Sequence, residues 1–207
     1  MEFLKRIYLV IFIIGISFGN MKSQDKSNVI KAFESSYTFE KAGTYNKAAE
    51  VIKNVYDENS YAINLRMGWL LYLSGSFNES MTYYQRAMKL MPYSEEAKFG
   101  LVLPASALGK WDIVANLYKK VLEVSANNTT ALYKLGMIYY GQANYTKANE
   151  CFSKLINLYP FGYDGLIMMA WTNFKLGKMN EAKVLFTKVL MLSPNDASAF
   201  EGLGYIK

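Results

Sequence analysis

Of the 207 residues, 52% are hydrophobic and 15% aromatic, which excludes a disordered chain and provides for a continuous apolar core. Histidine is absent and Cys151 is the single cysteine, so the commonest general base, an intrachain disulfide and a thiolate metal cluster are all ruled out. The formal charge of +6 is spread without a run of five like charges, whereas phosphate binding requires clustered cations, so no nucleic-acid partner is expected.

Taken in order, the chain starts with Lys5 and Arg6 ahead of an apolar run of twelve residues, Ile7–Phe18. A bilayer span needs about 20 residues, so this run reads as the core of a signal peptide over residues 1–23. Ser17-Phe18-Gly19 has the small residues that signal peptidase prefers, and cleavage after Ser23 is the second option. The expectation is export to the periplasm or envelope, with membrane attachment through an uncleaved leader if at all. Setting residues 1–23 aside removes Lys5, Arg6 and Lys22 against Glu2, leaving 20 basic and 16 acidic residues, or +4. Residues 24–28 read as a short polar linker.

Val29–Ser60 carries a degenerate helical hairpin, with Gly43 and Tyr45 at its turn and Ala48, Ile52 and Val55 on its second apolar face. Four units then follow in phase at 34 residues: 61–94, 95–128, 129–162 and 163–196. The third is the clearest. Leu132, Leu135 and Tyr139 share one helix face, and Gly141–Asn144 breaks the helix. Tyr145, Ala148, Phe152 and Leu155 form a second face that Pro160 ends. Gly75, Gly109 and Gly177 recur at the inter-helix turn, where Ala143 stands in this unit. Tyr84, Tyr118, Phe152 and Phe186 share another place, and Pro92, Pro160 and Pro194 close three units. Gly68, Gly136, Ala170 and Gly204 mark the expected close approach of paired helices.

Unit 95–128 departs from this pattern. Val102 and Val114 replace small residues, and Pro104 falls inside the first helix, so a bend near Leu103-Pro104 and a widened groove are expected. Residues 197–207 open a further unit. Phe200, Leu203, Tyr205 and Ile206 are more apolar than a water-facing cap requires, so either a partner covers this end or the chain is a piece of a longer protein.

The run Leu135-Gly136, Tyr139, Tyr145, Ala148, Phe152 and Pro160 closely resembles the tetratricopeptide repeat, and the resemblance extends over residues 28–207. It implies an all-α fold, a right-handed α-solenoid of stacked antiparallel hairpins whose first helices line the inner wall. The inward-facing places would then be Leu65, Arg66, Trp69 and Tyr72; Phe99 and Leu103; Tyr133, Lys134, Met137 and Tyr140; and Ile167, Trp171 and Phe174. That groove is aromatic and apolar, with Arg66 and Lys134 as isolated cations, and suits a protein or peptide partner.

No phosphate-cradling, nucleophile-elbow or metal-ligand motif occurs, so no catalytic residue, metal or cofactor is expected. Three readings follow. The first is a non-catalytic exported scaffold that binds a protein in its groove. The second is a periplasmic module of a larger envelope assembly, docked through its carboxy-terminal end. The third is carbohydrate or cell-wall binding by Trp69, Trp171 and the tyrosines.

Overall fold

The computed structural model describes residues 23–206, and the leader up to residue 22 lies outside that range. All regular structure among the described residues is α-helical. The first of two compact units ends at Arg86 and the second begins at Ala87.

In the first unit, α1 (Ser23–Lys41) pairs with α2 (Tyr45–Lys53), and α3 (Tyr61–Leu73) pairs with α4 (Phe77–Leu90), whose last turn belongs to the second unit. Residues 24–28, read above as a linker, instead form the first turns of α1. The core is Ala48, Ile52, Ile63, Met67 and Leu70, all buried. Gly68 lets α3 and α4 close together: a Cβ there would stand 2.8 Å from the Tyr84 ring, and the Ser80 hydroxyl donates to the Gly68 carbonyl at 2.6 Å.

The second unit continues with α5 (Glu95–Ala107), α6 (Trp111–Val124), α7 (Thr129–Gly141), α8 (Tyr145–Leu158), α9 (Tyr163–Lys175), α10 (Met179–Leu192) and α11 (Ala197–Tyr205). Each helix packs on its successor, and Phe152, Leu166, Ala170, Phe186 and Val189 belong to one buried core cluster. Such hairpins are too small to bury their apolar faces singly, and stacking supplies the missing neighbour.

The recurrent turn has a physical cause. Between α7 and α8, Asn144 N–H donates to the Tyr139 carbonyl at 2.8 Å and Ala143 N–H to Tyr140 at 3.0 Å. Residue 143 must then take φ +56°, while glycines occupy the same place at Gly43, Gly75, Gly109 and Gly177. First helices are capped in turn: Asn128 and Asp196 side chains accept from Ala131 and Ala199 amides at 2.9 and 2.8 Å. α4, α8 and α10 each stop two residues before a proline.

α5, where the sequence predicts a bend near Leu103-Pro104, carries Pro104 inside it and runs on to Ala107, with the Leu108 amide bonded to the Pro104 carbonyl at 3.1 Å. One expectation needs correction. Gly204, placed at a close approach by the register, has nothing within 4 Å of a built Cβ; Gly202 holds the tight place, where a built Cβ would run into the Phe186 ring. The reason is that Gly68 and Gly136 face their own second helices, and α11 has none among the described residues.

Candidate binding cleft

The predicted inner-wall residues divide according to what they touch. In the first unit Arg66 is buried rather than an isolated cation. Its guanidinium pairs with Glu40, donates to Ser36 Oγ at 2.8 and 3.0 Å, and lies 4.0 Å over the Tyr37 ring. Trp69 Nε1 donates to the same Glu40 at 2.7 Å, so both residues tie α3 to α1 and neither is a free binding group. Leu65 and Tyr72 are half-buried, with Tyr72 packed between the Trp69 and Phe77 rings at 5.9 and 5.8 Å.

In the second unit Ile167 is buried, which removes it from any contact surface. Trp171 donates to Ser198 Oγ at 2.8 Å and meets the Phe186 ring at 5.0 Å and Tyr205 at 6.4 Å. Phe174 stacks on Tyr205 at 5.9 Å, so these two aromatics seat α11 on the hairpin before it. Phe99 meets Tyr118 and Tyr133 meets Phe152, at 6.2 and 6.3 Å, and Tyr140 packs on Tyr145 at 5.4 Å. Lys134 and Met137 are exposed and Leu103 is half-buried.

Those last three share a cleft of about 660 Å³ between α5, α6 and α7. Its walls add Val102, Ser106, Val114 and Ile138, together with the half-exposed Trp111 and the buried Tyr118. The cleft occupies the hairpin that the sequence marked as aberrant. In the neighbouring hairpins a ring covers a bare glycine backbone, Tyr84 on Gly68 and Phe152 on Gly136. Val102 occupies that place on α5, so the backbone there already carries a side chain, and both Val102 and Tyr118 line the cleft. Pro104, two residues on, has no N–H to offer the Gly100 carbonyl as the usual helical donor.

The groove row omitted Trp111, Tyr118 and Ile138. Trp111 and Tyr118 lie on a second helix, outside a rule that reads first helices alone, although the Val102 and Pro104 anomalies pointed to this hairpin. A second cleft of about 470 Å³, lined by Thr130, Tyr133, Tyr163 and Asp164, adjoins Lys134 from its other side. Among the described residues no cluster of three or more His, Cys, Asp or Glu could hold a metal, and no helix is long and apolar enough to cross a membrane. Cys151 is buried, and burial pushes its thiol up from 9.0 to about 11.

Residues 130–161 and 163–196 each match a family model described as tetratricopeptide repeat. The chain is similar to a tetratricopeptide repeat-containing protein of Methanocaldococcus jannaschii, with 25% identity over 219 aligned positions covering 84% of this chain and 39% of that protein. It thus spans about two fifths of that relative's length. A tetratricopeptide repeat protein from Parabacteroides merdae has a similar crystal structure, with a TM-score of 0.72 at 21% identity over 85% of this chain and 71% of the other. YrrB, described as a tetratricopeptide-repeat protein with an unusual peptide-binding site, gives a TM-score of 0.70 at 13% identity over 87% and 94%. At such identities these structures speak to the fold alone. Together with the helix pairs and their shared turn, they identify an all-α stack of helical hairpins, two segments of which, 130–161 and 163–196, match the tetratricopeptide repeat.

Proposed function

We propose that this chain is a non-catalytic, exported interaction scaffold that holds a segment of a protein partner in the cleft between α5, α6 and α7. The observation that carries the reading is the cleft itself. Concave apolar sites of about 300–1,000 Å³ are the usual form of a binding pocket, and this one is about 660 Å³. The half-exposed tryptophan that lines it is the residue type that most often anchors a partner. The peptide-binding site named for YrrB supports a segment as the occupant. Lys5, Arg6 and the apolar run Ile7–Phe18 support export.

Cross-linking capture from an envelope extract tests this, comparing the wild-type chain with Trp111→Ala/Met137→Ala. A partner captured by the first and lost by the second is the expected result; an identical captured set from both would remove the cleft from the reading. Turnover of any substrate by the purified chain would remove the non-catalytic part. A second reading, docking through the carboxy-terminal end, has its own observation: Phe200 and Tyr205 on α11 are 54% and 60% exposed. Loss of the partner on Phe200→Ser, with the cleft variant unaffected, would favour it.

A further inference from the structure

One of the polar groups lining the cleft is the Tyr118 hydroxyl. The residue is 6% exposed and lines the cleft, yet its hydroxyl has no hydrogen bond among the described residues. Nearly all of the ring is covered, so the oxygen reaches open space through the cleft. Phe152 and Phe186 fill the same place in the following hairpins without a hydroxyl, so packing does not demand one here. A ligand entering the cleft would take the place of water at this accessible oxygen and must return the hydrogen bond it displaces, so the hydroxyl favours a polar group opposite it. Desolvation raises the Tyr118 phenol above its ordinary 10.0, which keeps it a neutral donor and acceptor at any physiological pH.

From this we infer that the cleft takes an aromatic side chain bearing a hydrogen-bonding group, the indole of tryptophan or the phenol of tyrosine, with the Tyr118 hydroxyl as its polar contact. The inference rests on the reading that a protein segment occupies the cleft, and it names the chemistry of that segment's anchor. The surrounding groups suit a flat ring. Val102, Val114 and Ile138 supply aliphatic walls, the Met137 thioether is a favourable neighbour for an aromatic, and Trp111 can meet the ring. An indole N–H would donate to Tyr118 Oη, and a phenol would donate or accept. Leucine or phenylalanine would fill space equally well but leave the hydroxyl unmatched, and sites with a polar group to satisfy reject such analogues most strongly.

Side-chain analogues separate these cases without knowledge of the partner. Binding of p-cresol, 3-methylindole and toluene to the full chain is measured by ligand-observed magnetic resonance, for wild type, Tyr118→Phe and Trp111→Ala. The two polar probes should compete for one site and bind about fivefold or more tighter than toluene. Tyr118→Phe should erase that preference while toluene binding stays unchanged, and Trp111→Ala should weaken all three. Equal binding of the three probes to wild type, or a preference that survives in Tyr118→Phe, overturns the inference and leaves the segment reading standing. If none of the three binds, the cleft fails as a partner site and both fall.

Discussion

Ala143 sits at φ +56°, in the left-handed region where a Cβ is disfavoured, while four other turns place glycine there. Ala143→Gly should raise stability by about 1 kcal/mol in chemical denaturation, the relief of strain outweighing the greater freedom of glycine in the unfolded chain. The opposite change is harmful where a glycine faces a ring. Gly136→Ala would set a Cβ 2.7 Å from Phe152, a fully buried side chain with nowhere to move. It should lower stability by about 1–3 kcal/mol in the same assay. Removing Arg66 would leave Glu40 unpaired beside Trp69, so Arg66→Ala should cost about 3 kcal/mol. These positions differ in how readily sequence discloses them. The glycines and Ala143 announce themselves by their 34-residue spacing, since a backbone requirement is local. Arg66 looks like a free cation because its partners, Ser36 and Glu40, lie 30 and 26 residues away on another hairpin.

At the scale of the element, α5 carries the departure that shapes the cleft. Pro104 forgoes one backbone hydrogen bond inside a helix that nonetheless continues past it. Pro104→Ala restores the donor for Gly100, and thermal unfolding should show a gain of about 1–2 kcal/mol. The gain should come with weaker p-cresol binding if the proline helps hold the cleft open; unchanged binding would assign the opening to Val102 alone. The anomaly was legible as a pair of valines and a proline in the wrong places. The cavity was not, because it depends on how a ring on α6 meets a side chain on α5. The same limit explains Gly202 and Gly204: repeat register names equivalent positions but not which neighbouring helix is present to meet them.

For the molecule as a whole, alkaline pH acts through groups whose protons burial retains. The folded-state Cys151 thiol titrates near 11 rather than 9.0, so the folded chain holds a proton that the unfolded chain releases between those values. Stability is therefore full below pH 9 and falls as pH rises towards 11, by about 2–3 kcal/mol. Tyr118, Tyr133 and Tyr140, all raised by desolvation, act in the same direction from pH 10 upward. Lys98 is lowered by burial and acts in the opposite sense. Denaturation midpoints between pH 8 and 11 should drop more steeply for wild type than for Cys151→Ala, and parallel curves would refute the assignment.

The position of that cysteine, enclosed on α8, has one more consequence. A sulfur that an alkylating reagent can meet only when the hairpin breathes is a built-in stopwatch. The pace of its labelling counts how often that stretch swings open, and the slowing of that pace when a guest arrives would register occupancy with no dye attached.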